Sequence, residues 1–272
     1  MSPDNRQIMD LTTLRAVLSE FRRNVLPSRF EQAQQPEPET MQIALRTLTG
    51  LSWLEFSWGA DAPRLVKIPP PNRSRGKSTF AKQLQHCLGK LTLVEINQSG
   101  FERVVDFCFS VRPGGPVEKT LVIELMGRHS NFLLLNDAQE VITIGRQVRE
   151  NQSRFRPIST GDAYLTPPPL QGIKPTSIEP IESWKNNLCL IPETLKKSLQ
   201  QSYQGISPSL ALQIANDDYQ LADEIINRSV DKITPKEWED LYQRWSMWLQ
   251  KLEKEDFQLN FNGPTSYKVW SV

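Results

Sequence analysis

LVIELMGRHSNFLLLN, Leu121 to Asn136, decides how the middle of this chain is read. Two apolar, β-rich runs flank the polar insert Gly127-Arg128-His129-Ser130-Asn131. The flanks read as strands and the insert as a tight turn joining them. Gly127 suits a positive φ at the turn start. Asn131 tolerates the left-handed region and can bond its own backbone. That chemistry accounts for Gly and Asn and leaves Arg128, His129 and Ser130 over. These three are expected on a rigid tip.

The same pattern extends on both sides. LTLVEINQ, ERVVDFCFSV, KTLVIELM, FLLLN and EVITIGRQV form a run of strand candidates, punctuated by RPGGP, GRHSN and NDAQ. Before them, TMQIALRTL, LSWLEFSWG and RLVKI alternate like consecutive antiparallel strands. LTTLRAVLSEFRRNVL has Leu11, Leu14, Val17, Leu18, Phe21 and Val25 at helical spacing behind Asp10 as a plausible N-cap. TFAKQLQHCLGKL reads as a short helix with a Thr cap and a stop at Gly89. The first part is therefore α+β, helices on a mostly antiparallel sheet or sandwich.

FRPISTGDAYLTPPPLQGIKPTSIEP is rich in Pro and Gly and poor in periodicity, so a linker and boundary fall near residues 170 to 180. Beyond it five segments turn helical: IESWKNNLCLI, PETLKKSLQQSY, SPSLALQIANDD, YQLADEIINRSV and TPKEWEDLYQRWSMWLQKLEKE. FQLNFNGPTSYKVWSV is expected to be extended, a hairpin around NGPT. The chain stops within strand-like sequence, so it is expected to be a piece of a longer protein.

Composition bounds the chemistry. The 272 residues are 38% hydrophobic and 23% charged, an ordinary globular balance. No apolar run reaches the ~20 residues of a membrane helix, and the N-terminus has no signal-peptide pattern. Cys87, Cys108 and Cys189 are far apart, with no metal spacing. They read as reduced, mostly buried thiols of a cytoplasmic protein. No cofactor and no metal site is expected. There is no GxxxxGK[ST], no GxGxxG and no HExxH. RGKST, Arg75 to Thr79, copies only the tail of a phosphate loop. With His86 and His129 as the only histidines, acid–base catalysis has few candidates, and the chain is not expected to be an enzyme.

Net charge is +1, yet it is unevenly spread. Asp61 to Lys90 carries seven Lys/Arg against one acid, and Gly145 to Pro157 carries Arg146, Arg149, Arg154 and Arg156 against Glu150. Asp217 to Asp256 carries eleven acids against six bases. A polyanion-facing first part fits this split, although solvated faces account for it equally. Arg73, Arg75 and Lys77 in the basic loop PPPNRSRGKS are candidate phosphate contacts. GFERVVDF sets Glu102 and Arg103 at the mouth of a strand, suited to a phosphate or base edge or to a simple surface ion pair. YQGISPSLALQIA places Gly205 at a turn, Ser207 as cap and Pro208 in the first helical position. Helix-hairpin-helix modules present such a turn to phosphate, although capping alone explains all three residues.

Taken together, DLTTLRAVLSEFR, RFEQAQQPEPETMQIALRT, the Ala62 to Leu88 stretch, GFERVVDF, VIELMGRHSNFLLLN and GISPSLALQI resemble, in this order, the NFACT-N domain of the RqcH/fibronectin-binding-protein-like family. The resemblance covers nearly the whole chain. It implies an NFACT-N domain over 1–172 similar to the N-terminal lobe of MutM-like DNA glycosylases. An all-α helix-hairpin-helix domain over 173–258 follows, with 259–272 leading toward coiled-coil arms. It implies binding of tRNA, alanyl-tRNA in bacterial members, and of large ribosomal subunits blocked by peptidyl-tRNA, in support of alanine tailing. The family's Asp-Arg pair for tRNA corresponds to Glu102 and Arg103, the acid here being one methylene longer. Arg128 joins them as an RNA contact, and the fragment is expected to be monomeric. A surface fibronectin-binding adhesin is the alternative, disfavoured by the cysteine pattern and the missing signal. A DNA-glycosylase relative is a further one, but the Pro amine followed by Glu which that chemistry needs is not matched: Ser2 and Asp4 flank Pro3.

Overall fold

The computed structural model describes residues 7–72, 78–149, 151, 156–261 and 266–271. The chain divides into two compact units, residues 17–168 and residues 1–16 with 169–272. The first helix, α1 (Leu11–Asn24), crosses that division, so the opening residues cluster with the C-terminal helices.

The β-rich unit holds β1 (Ser28–Glu37), β2 (Thr40–Thr47), β3 (Gly50–Ser57), β4 (Arg64–Ile68), α2 (Thr79–Leu88), β5 (Thr92–Gln98), β6 (Val104–Ser110), β7 (Lys119–Glu124), β8 (Asn131–Leu135) and β9 (Val141–Ile144). These nine strands form one antiparallel sheet in the order β4-β3-β2-β1-β5-β6-β7-β8-β9. The expected α+β class with a large antiparallel sheet is what is found. The pairs Ser28↔Leu93 and Arg29↔Thr92 join the halves at β1 and β5, and Phe30 N donates to Leu91 O at 3.0 Å beside them. Five strands separate β3 from β8 along the sheet, yet Phe56 lies 5.0 Å from Phe132 and 5.1 Å from Phe107. The sheet therefore doubles back, and these rings fill its interior.

The second face of β6 to β9 is covered as well. Val122, Leu133, Leu135, Val141 and Ile158 form a separate buried cluster. Burial on both faces explains why β8 reads as a continuous apolar run rather than an alternating one. Helix α2 starts one residue earlier than its Thr suggests: Ser78 is the cap and accepts from Ala81 N. At its end Gly89 has φ −60°, not a left-handed angle. A Cβ there would lie 2.6 Å from the Gln85 carbonyl, so space rather than φ favours Gly.

The helical unit contains α3 (Ile181–Leu188), α4 (Leu195–Ser202), α5 (Pro208–Ala215), α6 (Tyr219–Ile226), α7 (Pro235–Lys254) and a small hairpin of β10 (Asn260–Phe261) and β11 (Tyr267–Lys268). Trp184, Tyr203, Trp245 and Trp248 pack at ring distances of 4.9 to 5.5 Å in its core. A full capping box, Thr234 with Glu237, starts α7. No helix among the described residues is long and apolar enough to cross a membrane.

Candidate nucleic-acid interface

The Gly127-Arg128-His129 segment is a single 3-10 turn, with Gly127 at φ 55° as its left-handed entry. Ser130 closes it: its N–H donates to Gly127 O at 3.0 Å, and its Oγ accepts from Met126 N at 2.9 Å. Asn131 departs from the expected left-handed turn residue, for it is the first residue of β8. Its Oδ1 accepts from Phe132 N and Arg146 N, both at 2.9 Å, and its Nδ2 donates to Arg146 O at 2.8 Å. One carboxamide thus continues the β8–β9 ladder where backbone pairing has stopped. Ser130 and Asn131 are buried, whereas Arg128 and His129 are exposed. Arg128 Nε donates to His129 Nε2 at 3.1 Å. The tip is therefore divided: Ser130 and Asn131 build it, and Arg128 and His129 face outward.

Neighbouring strands bring further cations to the same end of the sheet. Leu125 N donates to Arg103 O at 2.8 Å, next to the Val104↔Glu124 pair. Glu102 and Arg103, both half-buried, thus stand beside the segment that leads into the turn. Gln98 organises their loop, its Nε2 facing the carbonyls of Ser99, Gly100 and Glu102 at 3.1, 3.1 and 2.7 Å. Arg146 ties the rim together. Its Nη1 donates to Arg128 O and its Nη2 to Glu39 Oε1 at 2.9 Å. Under the rim, Trp58 stacks on Phe132 at 5.2 Å and Phe80 lies 5.7 Å from Phe132. The backbone therefore brings residues 103, 128 and 146 to one braced edge.

Arg73, Arg75 and Lys77 fall outside the described residues. The residues bordering their loop are anchored, since Asn72 O accepts from Gln34 Nε2 and Ser78 caps α2. Arg156, one of the four arginines of the basic stretch, is turned inward onto Glu124. Glu124 is fully buried and also accepts from the Tyr164 hydroxyl at 2.9 Å. Burial first, and the nearby Glu124 charge second, push the Asp106 carboxyl above its ordinary range. Burial, followed by Glu124, likewise raises the Tyr164 phenol. A groove of about 590 Å³ between α1, β3 and β4 is lined by Val17, Phe21, Trp53 and Ile68 among others, and holds none of the expected site residues.

The turn at Gly205 belongs to the helical unit. Gly205 has φ 78°, Ser207 Oγ accepts from Leu210 N, and Pro208 occupies the first helical position. The Ser207 hydroxyl in turn donates to Asp10 Oδ2 at 2.7 Å, while Asp10 Oδ1 accepts from Thr13 N at 2.9 Å. A buried carboxylate therefore already sits at the start of α5. Among the described residues no group of His, Cys, Asp and Glu is placed to hold a metal ion. Cys108 is buried and Cys87 half-buried, but Cys189 is exposed, against the expectation of mostly buried thiols.

Residues 10–271 match the family model described as NFACT N-terminal and middle domains. The chain belongs to the NFACT N-terminal and middle-domain family. Curated relatives of this NFACT chain include the Rqc2 homolog RqcH of Streptococcus suis, 26% identical over 208 residues, which are 75% of this chain and 37% of the relative. The Rqc2 homolog RqcH of Bacillus subtilis is 28% identical over 120 residues, 43% of this chain and 21% of the relative. The NFACT chain thus spans little more than a third of the curated relatives it matches best in extent. Among solved structures, the N-terminal part of the fibronectin/fibrinogen-binding protein of S. suis has a TM-score of 0.68 at 22% identity, covering 87% of this chain and 84% of that one. The N-terminal domain of the fibronectin-binding protein PavA of Streptococcus pneumoniae has 0.65 at 23% identity, covering 80% and 79%. At these identities the likeness is one of fold.

The signals for Glu102, Arg103 and Arg128 lay in turn residues and charge. Gln98, Glu39, Glu124 and Tyr164 gave no such signal. Glu39, Glu124 and Tyr164 act through partners distant in sequence, which only the fold supplies, whereas Gln98 braces its own loop.

Proposed function

We propose that this chain is a non-enzymatic, RNA-binding part of a ribosome quality-control factor in the cytoplasm, working as a monomer and without a cofactor. The relatives named RqcH support that setting. In this reading the rim formed by Arg103, Arg128 and Arg146 contacts tRNA, alanyl-tRNA being the favoured species. The whole protein would bind large ribosomal subunits that retain peptidyl-tRNA and support alanine tailing. The β-rich unit would be the counterpart of a MutM-like lobe, and α4 with α5 that of a helix-hairpin-helix module. The observation that carries the reading is that the backbone brings Arg103, Arg128 and Arg146 to one edge, which Ser130 and Asn131 brace. Such groups position a phosphate backbone rather than read sequence.

The test is a salt-titrated tRNA-binding assay on wild type, Arg103→Ala and Arg128→Ala. Each substitution should weaken binding and lower the slope of log K against log salt by about 0.7 to 0.9. Identical curves for all three proteins would remove the rim from the proposal. The fibronectin-binding names of the solved neighbours favour a second reading, an adhesin. Labelling of intact cells separates the two, since only an adhesin is reached by an impermeant reagent.

A further inference from the structure

Glu124 and Arg156 are an unusual pair for a strand end. Glu124 is fully buried, and the Arg156 side chain keeps 14% of its exposure. Arg156 Nη1 donates to Glu124 Oε2 at 2.9 Å and Nη2 to Oε1 at 2.5 Å, a two-pronged planar match. Tyr164 donates to the same carboxylate at 2.9 Å. Arg156 Nε reaches Leu165 O at 2.7 Å, and its guanidinium lies 5.4 Å from the Tyr164 ring centre. A buried ion pair is seldom the most stabilising way to fill such a space, since apolar residues of similar volume often do better. What it adds is a fixed geometry between two segments.

Those two segments both lead to the rim. Glu124 is the last residue of β7. Its neighbour Leu125 bonds Arg103 O, and the Arg128 turn begins three residues after Glu124. On the other side, Ile158 pairs with Val148 through two backbone bonds of 2.9 Å, and Arg146 lies two residues before Val148. We infer that Glu124, Arg156 and Tyr164 form a buried clasp that positions the rim arginines, making Glu124 and Arg156 positioning residues of an RNA interface that neither of them touches. This rests on the RNA-binding reading above. Arg156, although part of the basic stretch 145–157, thereby joins the residues that aim others rather than those that would meet phosphate.

The test uses the full chain and a bulk tRNA pool as the probe. The variants are Arg156→Lys, which keeps the charge but loses the two-pronged fit, and Glu124→Gln with Arg156→Met, which removes both charges together. Folding is followed by circular dichroism and binding by salt titration, with Arg128→Ala as reference. The folded clasp variants should bind at least threefold more weakly, and the slope of log K against log salt should fall although no exposed cation has been removed. A folded Arg156→Lys protein with wild-type affinity and slope, beside a weakened Arg128→Ala, overturns the clasp alone. Equal binding by wild type and Arg128→Ala overturns the RNA reading and the clasp with it. Should the double variant fail to fold, the Arg156→Lys result decides.

Discussion

Asn131 does with one side chain what strand residues do with peptide groups. Two of its three bonds hold Arg146 just beyond the end of β9, and the third braces Phe132 N, so Asn131→Ala removes the side-chain partner of both backbone groups of the half-buried Arg146. At about 1 kcal/mol for each lost bond, a loss of about 2 to 3 kcal/mol should appear in urea unfolding, together with weaker tRNA binding. Gly145, one residue earlier, is constrained by space: a Cβ there would sit 2.7 Å from the Trp58 ring. Gly145→Ala is therefore expected to cost about 1 to 3 kcal/mol, as overpacking does. Asp106 behaves oppositely. Its carboxyl is raised from the ordinary 3.8 by burial and by Glu124, so the folded state holds the proton more tightly than the unfolded one. Its ionisation thus costs stability as pH rises from 3.8 through the raised value. Asp106→Asn should raise the thermal midpoint at pH 7, and that gain should vanish below pH 3.8; an unchanged gain at low pH would refute the assignment. Around this turn the sequence made the positive φ of Gly127 legible but left open whether Arg128 faces outward. The roles of Asn131, Gly145 and Asp106 depend on strands distant from them in the chain.

At the scale of elements, periodicity located nearly every helix and strand, because each buries one face and the burial pattern has a fixed period. β1 is the instructive exception. Only Phe30 and Ala33 are its buried apolar residues, and Gln34 is buried through bonds to Gln42 and Asn72 that no local pattern announces. The end of α5 shows a comparable long-range dependence. Arg244 from α7 donates to Gln213 O and Ile214 O at 3.0 and 3.1 Å and pairs with Asp217, which also accepts from Lys268 at 2.7 Å. The bond to Arg244, with Lys268 second among the favourable partners, holds the Asp217 carboxyl well below its ordinary 3.8. A depressed acid contributes stability that is complete above the unfolded value and fades as pH falls below it. Asp217→Asn should therefore lower the thermal midpoint at pH 7, and the difference from wild type should close as pH drops below 3.8. An equal difference at pH 3 and pH 7 would show that the pairing of Asp217 with Arg244 and Lys268 is not electrostatic in effect.

For the whole molecule, what the sequence could not convey is the order in which elements meet. The junction of β1 with β5 and the return of β3 onto β8 pair segments whose local signals are identical to those of any other strand. The same holds for the opening residues, which read as the first helix of a β-rich part but cluster with the C-terminal helices. The contacts responsible are specific. Asp10 receives Ser207 at 2.7 Å, Thr12 Oγ1 receives Trp248 Nε1 at 3.0 Å, and Gln7 Oε1 receives Tyr267 N at 3.1 Å. Trp248 is fully buried, so Thr12→Val strands its N–H in the core. The cost is about 1 to 3 kcal/mol. Asp10→Ala removes the α1 cap and the partner of Ser207 together, for about 1 to 2 kcal/mol. Five of the seven tryptophans, Trp184, Trp238, Trp245, Trp248 and Trp270, lie in the helical unit, so fluorescence reports chiefly on that unit. Both substitutions should shift the fluorescence midpoint downward by several degrees. The exchange protection of strand amides such as Ile123 and Leu133 should change less. If the strand amides lose protection first, the opening residues support the β-rich unit instead, and the division of the chain near residue 16 is not the one that governs its unfolding.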